Sequence, residues 1–248
     1  MALLWQKRAG GNLYQVRSHG ASVRLYSNGV FHSQWNPRDP LKGSLWELLL
    51  LPAFFRSRRR LGSVLLLGVG GGALIRLLQR FVEPARIVGV DLDATHLQVA
   101  RRYFGVRNAQ LVHADARDFV ADQLQSGERG SFDLIIDDLF GHVDGEAQRT
   151  VAADVPWCRN LLHLLSADGL VVGNFASRRE LLSSGWRDKS VRAQLGGAWT
   201  AELPAYENCV LAVSRQPLLA ADLAARAPAA INPRNPSRRL DCRLKRLP

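Results

Sequence analysis

The stretch VLLLGVGGGAL at positions 64–74, followed by RIVGVDLD at 86–93, decides the reading of this chain. Val64 to Leu67 form an apolar run that breaks at Gly68, Gly70, Gly71 and Gly72, after which the helical pattern Ala73, Leu74, Leu77, Leu78, Phe81 begins. That order predicts a buried strand turning through a glycine loop into a helix N-terminus, a place where side chains would block a ligand. The second run predicts a strand ending at Asp91, whose carboxylate is placed to accept hydrogen bonds from both hydroxyls of a ribose. Gly68-x-Gly70-x-x-Ala73 also satisfies the GxGxxG/A dinucleotide fingerprint. On this motif alone, a nicotinamide or flavin enzyme and a glycine-rich turn without a ligand both stay open.

Downstream of the loop, strands are predicted near 64–67, 86–90, 109–113, 132–137 and 169–174, alternating with helices near 73–82, 94–104, 116–124, 150–165 and 178–194. Such alternation predicts an α/β fold with a doubly wound, mostly parallel sheet that binds ligands at the carboxyl ends of its strands. Two more strands near 199–203 and 208–214 would add an antiparallel pair, for seven strands in all. Upstream, residues 12–35 alternate as short strands, and Asn28-Gly29 in VRLYSNGVFHSQ predicts a two-residue hairpin turn because both residues accept positive φ. A helix is predicted over 44–55, with Ser44 and Glu47 as a capping box. The expected organisation is an N-terminal β-hairpin element at 1–43, a Rossmann-like nucleoside-binding domain at 44–215, and a basic, weakly ordered tail at 216–248 rich in Ala, Pro and Arg.

A chain of 248 residues that is 47% hydrophobic can bury a sizeable core. No apolar run approaches the ~18 residues of a membrane span, and MALLWQKRAGG lacks the order of a secretory signal, so a cytoplasmic location without membrane insertion is expected. Cys158, Cys209 and Cys242 are widely spaced and form no CxxC pair, which argues against a disulfide framework and a zinc site. Charge is uneven. Residues 1–61 carry ten Lys/Arg against two acids and 216–248 carry seven against two, whereas 111–150 holds nine acids against three arginines. The basic ends suit nucleic acid or another anionic surface, and equally a solvated face. Chemistry is to be sought in the acidic middle.

Asp91, Asp115 and Asp138 each follow a predicted strand, so a parallel sheet would gather them at one edge. Asp115, with Ala116 beside it, suits the amino group of an adenine, and Asp138 ends the fourth strand where the reactive end of a nucleoside cofactor would lie. Asp133 reads as structural. Asp137 fits a strand-end cap and the site equally well. Any single one of these aspartates reads equally as a loop or helix cap.

Taken together, these segments resemble the class I adenosylmethionine-type transferases, and within them the spermidine synthase-like branch. VLLLGVGGGA is similar to the family's VLxxGGGDGG loop, VDLD to VEID, Asp115-Ala116 to its adenine-side DG or DA, and FDLIIDDLFG to YDVIxxDxxDP. NGVFHS resembles the DGVIQS hairpin, LWELLLLP the YHEM…P helix, and GLVVGNF the fifth strand. The resemblance implies that Gly68, Gly70, Gly71, Gly72, Asp91, Asp115 and Ala116 hold the cofactor. It also implies that Asp138 is the catalytic aspartate, and that the chain forms a homodimer through the N-terminal β element. Departures fall on the acceptor side: Gly71 replaces the acid of the loop, His32 the hairpin glutamine, Leu45 the helix tyrosine and Gly141 the second acid after strand four.

A dicationic polyamine needs several spaced carboxylates, and much of that set is missing. Without the loop acid, nothing there repels the carboxylate of S-adenosylmethionine, which backbone N–H groups at the helix N-terminus could receive. The expectation is S-adenosylmethionine as cofactor and methyl transfer to an amine or other small nucleophile, with Asp138 as base. His32 either touches the donor tail, acts as base, or is an exposed hairpin residue. The alternatives are aminopropyl transfer from decarboxylated S-adenosylmethionine, a nucleic-acid methyltransferase, and a nucleoside-binding module without catalysis.

Overall fold

The structure, a computed structural model, describes residues 1–143 and 146–247. The N-terminal element is a four-stranded antiparallel meander of β1 (Ala2–Ala9), β2 (Asn12–His19), β3 (Ser22–Ser27) and β4 (Val30–Trp35). The predicted turn is present, with Asn28 at φ 50° and Gly29 at φ 83°. β1 extends the expected element by a whole strand. The inward positions Tyr14, Val16, Leu25, Ser33 and Trp35 are buried, and Val16, Leu25 and Trp35 share one core with the main domain.

α1 (Leu45–Leu50) then leads into a 3₁₀ turn over Leu51–Phe55. The Glu47 carboxylate reaches back to accept from the Ser44 N–H at 3.0 Å and the Ser44 hydroxyl at 2.9 Å. Pro52 at the start of the turn, which lacks an N–H to donate, accounts for the early end of regular α geometry.

The main sheet follows the predicted alternation: β5 (Ser63–Leu67), α2 (Ala73–Phe81), β6 (Arg86–Asp91), α3 (Ala94–Arg102), β7 (Gln110–His113), α4 (Ala116–Gln125) and β8 (Phe132–Asp137). An unforeseen hairpin, β9 (Phe140–Val143) with β10 (Glu146–Arg149), comes next, followed by α5 (Val155–Leu164) and β11 (Leu165–Phe175). The predicted helix at 178–194 is broken into α6 (Arg178–Ser183), a 3₁₀ turn and α7 (Lys189–Arg192), because Ser184 and Asp188 adopt extended backbone. β12 (Gly197–Glu202) and β13 (Cys209–Ser214) form the antiparallel pair.

The tail departs most from expectation. It is not loose: α8 (Ala220–Arg226) packs beside the 3₁₀ turn after α1, and β14 (Arg243–Arg246) pairs antiparallel with β12. The physical reason is burial, since Leu218, Leu223, Ile231, Leu240 and Cys242 all lie in the core despite the polar composition around them. The sheet therefore has eight strands, ordered β14-β12-β13-β11-β8-β5-β6-β7, with β5 to β8 and β11 parallel. β5 and β8 are central, and their side chains are buried on both faces, as parallel strands require. Among the described residues no helix is long and apolar enough to cross a membrane.

Candidate active site

A cavity of about 920 Å³ opens at the carboxyl ends of β5, β6, β8 and β11 and is roofed by the N-terminal sheet and α1. Its size suits a drug-sized or nucleoside ligand. Gly68, Gly70, Asp91, Asp115, Ala116, Asp138 and His32 line it. Gly71 and Gly72 do not.

The glycine loop is shaped by its neighbours. Gly68 has φ 91°, and a Cβ there would lie 2.1 Å from the Asp138 carbonyl oxygen, so this glycine lets the ends of β5 and β8 meet. A Cβ on Gly71 would lie 2.6 Å from Phe104 Cζ and 2.7 Å from Ser33 Cβ. The place an acid would take in the related loop is thus filled by Phe104 and Ser33. One on Gly72 would meet Val106 at 2.6 Å.

The loop N–H groups, expected to receive a carboxylate, are already engaged. Gly68 N–H donates to the Val90 carbonyl at 2.8 Å, Val69 and Gly70 donate to Asp91 Oδ2 at 2.9 and 2.8 Å, Gly71 donates to Ser33 Oγ at 2.9 Å, and Gly72 donates to the Val69 carbonyl at 2.8 Å. The loop is therefore a self-satisfied scaffold. Gly71 and Gly72 contribute packing to it, in place of the ligand contact expected of them.

Asp91 is buried and its acceptor capacity is mostly spent. Oδ2 receives the two loop donors, and Oδ1 receives the Asp93 N–H at 2.8 Å with His96 Nδ1 3.6 Å away. A carboxylate offers about four lone-pair directions, so one direction on Oδ1 remains where two had been expected for ribose. Burial opposes ionisation of Asp91, but His96 and the N–H groups of Asp93 and Gly70 hold its carboxyl below the ordinary value. For His96, burial works against the charged ring, yet the Asp91 carboxylate and the charge of Asp93 hold it above its ordinary value.

Around this corner the N-terminal sheet is fastened to the loop and β6. The Tyr14 hydroxyl donates to Asp93 Oδ2 at 2.5 Å, Ser27 Oγ lies 3.1 Å from His96 Nε2, and the rings of His32 and His96 are 5.1 Å apart. His32 is half-buried, in place of the fully exposed hairpin position that its turn alone would suggest. Asp115 caps α4 through the Arg117 N–H at 2.8 Å and pairs with the Arg117 side chain at 2.6 Å, which holds its carboxyl below the ordinary value.

Adjacent Asp137 and Asp138 are separated by their surroundings. Asp137 is fully buried, paired with the Arg149 guanidinium and accepting from Trp157 Nε1 at 2.9 Å; it belongs to the structure beneath the site and does not line the cavity. Arg149 also donates to the Asn174 carbonyl at 2.8 Å and lies over the Phe175 ring. Asp138 has a neutral partner, the Asn174 side-chain amide, which donates to Oδ1 at 2.8 Å. Burial pushes the Asp138 carboxyl up to about 6, Asn174 opposes that rise, and the negative charge of Asp137 adds to it. A carboxyl raised by burial at a cavity wall is the kind of group that exchanges protons within a site. Asp138 is therefore a carboxyl able to take a proton near neutral pH.

Sequence reasoning missed His96, Asn174, Asn208 and the Arg149–Asp137 pair. Asn174 carried a signal, as a polar residue closing the otherwise apolar run GLVVGNF. Asn208 and Arg149 are brought in by a loop and a hairpin that no periodicity marks, and His96 stands in the first turn of α3, where the helical pattern does not single it out.

Residues 64–166 match the family model of a methyltransferase domain. The chain is 38% identical over 80 residues to an eEF1A lysine and N-terminal methyltransferase of Danio rerio, covering 31% of this chain and 11% of that protein. It is 33% identical over 118 residues to a polyamine aminopropyltransferase of Pyrobaculum neutrophilum, covering 44% and 40%. The matches thus span less than half the length of these curated relatives. Among solved structures it is similar to a probable spermidine synthase from Corynebacterium glutamicum, with TM-score 0.72 and 18% identity over 91% of this chain and 86% of that one. It is also similar to human methyltransferase-like protein 13 in complex with SAH, with TM-score 0.57 and 19% identity over 68% and 81%. Residues 64–166 thus match a methyltransferase domain, and the chain as a whole has the fold seen in the spermidine synthase and methyltransferase structures.

Proposed function

We propose that this protein transfers a methyl group from S-adenosylmethionine to an amine, with Asp138 as the base. The observation that carries the choice of donor is the closed space at Gly71. An aminopropyl donor ends in a free amine that calls for a loop carboxylate, and here Phe104 and Ser33 occupy the space such a side chain would need. The cavity fits a nucleoside thioether, with Asp91 Oδ1 facing the ribose, Asp115 and Ala116 facing the base, and Asp138 at the other end among Leu139, Phe140 and Asn174. Bound there, S-adenosylmethionine would supply an electrophilic methyl carbon, open to in-line attack by an oriented amine nitrogen as the carbon–sulfur bond breaks and the neutral thioether leaves. Asp138 accepts a hydrogen bond from the amine, directs its lone pair and takes or relays its proton, while the apolar walls exclude water. His32, near His96 and on the same cavity wall, contacts the donor tail.

A specific observation keeps aminopropyl transfer as a second reading: curated relatives from Pyrobaculum and Neisseria bear the name polyamine aminopropyltransferase. The deciding experiment offers methyl-labelled S-adenosylmethionine and, separately, decarboxylated S-adenosylmethionine to a panel of monoamines, polyamines, lysine peptides and RNA. Label transferred to an amine from the first donor is the expected result. Product only from the second donor would replace methyl by aminopropyl transfer, and label on RNA alone would replace the acceptor class.

A further inference from the structure

Resting on that assignment of Asp138, we infer that Asn174 and Asn208 form a two-amide relay that positions the Asp138 carboxyl in both of its protonation states. Asn174 is buried at the end of β11, and its Nδ2 donates to Asp138 Oδ1 at 2.8 Å. Its Oδ1 accepts from Asn208 Nδ2 at 3.1 Å, and half-buried Asn208 stands at the cavity wall beside Tyr206. The chain of donors therefore runs from the rim to the carboxylate. While Asp138 is an anion, this polarity gives it a donor without a compensating charge.

An amide is a donor at one end and an acceptor at the other, which makes the relay reversible. When Asp138 has taken a proton, both amides can turn over: Asn174 Oδ1 then accepts from the carboxyl O–H, and Asn174 Nδ2 donates to Asn208 Oδ1. Neither state leaves a buried polar atom of Asn174 without a partner, an omission that would otherwise be costly. The charged groups facing Asp138 cannot do this. Asp137 on β8 is locked in its pair with Arg149 of β10, and Arg149 is also tied to the Asn174 carbonyl. Asp91 on β6 is held by the glycine loop, and His32 of β4 shares the cavity wall. The amides are positioning residues: they act through Asp138 and not on the substrate.

The test reads Asp138 directly, by ¹³C-carboxyl NMR titration of the ligand-free full chain. Asn174→Leu is expected to raise the titration midpoint by about one pH unit, a tenfold gain in proton affinity, because the anion loses its side-chain donor. Asn208→Ala, at a half-buried position that does not threaten folding, is expected to raise it by less, since Asn174 is then free to present either end. A merely structural role would lower the melting temperature and leave the midpoint in place. Unmoved midpoints in folded variants would overturn the relay, and if Asn174→Leu does not fold, an unmoved midpoint in Asn208→Ala alone overturns it. Failure of wild type to bind S-adenosylmethionine would overturn the proposed function and leave this result standing.

Discussion

The two ends of the cavity are built on opposite principles. At the β5–β6 corner every N–H from Gly68 to Gly72 has a partner, Asp91 spends three of its acceptor directions on backbone, and glycines are required by contacts at 2.1 to 2.6 Å. At the β8–β11 end, Asp138 is a desolvated carboxyl with a neutral donor, next to an aspartate that has taken the available cation. The first region gains stability from its arrangement and fixes a shape. The second gives stability up and gains a group that titrates near neutrality, as sites for proton transfer do.

The largest effect separating the two ends is expected from Asp138→Asn. Removing the proposed base should lower turnover by about 10²–10⁴-fold, while donor affinity measured by calorimetry stays within a few-fold. Parallel loss of both would place Asp138 in nucleoside binding and erase the division.

Next in size is the cost of disturbing the rigid corner. Asp91→Ala strips the acceptor from the Val69 and Gly70 N–H groups and should destabilise the fold by about 1–3 kcal/mol in urea unfolding, on top of any loss of ligand. Gly71→Ala should cost a similar ~1–3 kcal/mol by overpacking Phe104 and Ser33. Restoration of stability by the double variant Gly71→Ala with Phe104→Leu would locate the strain, and full stability of the single variant would show that the corner yields more easily than its contacts suggest.

The smallest effect sharpens the comparison through pH. Because the Asp138 carboxyl lies above its unfolded value, its ionisation works against folding; the penalty is absent below about 4, grows up to about 6 and is constant above. Asp138→Asn should accordingly be more stable than wild type by on the order of 1–2 kcal/mol at pH 8, with the difference vanishing as pH falls through that window. Equal stability of the two proteins at pH 8 would mean that the carboxyl is hydrated in the folded state.

How much of this could be read from the sequence divides along the same line. The glycine loop, Asp91 and the strand order were legible because each rests on local chemistry: positive φ, an apolar run, a polar residue at a strand end. Asp137 and Asp138 are chemically identical in the sequence, and only the arrival of Arg149 and Trp157 from later elements tells them apart. The tail misled because its Ala, Pro and Arg content describes the exposed residues, while Leu223, Ile231 and Leu240 are spaced irregularly and buried in the same core as α1 and the turn after it. β1 was missed for the converse reason. Its side chains are mostly exposed and carry no alternation, so pairing with β2 sets its structure. Gly71 was expected to hold the cofactor, and the filling of its surroundings by Phe104 and Ser33 lay beyond any local pattern.

The most direct test of the account is a calorimetric comparison of S-adenosylmethionine and its decarboxylated form on the wild-type protein. With no carboxylate at position 71 to pair with the free amine, S-adenosylmethionine is expected to bind the more tightly. Tighter binding of the decarboxylated donor would contradict the account and return the protein to aminopropyl transfer.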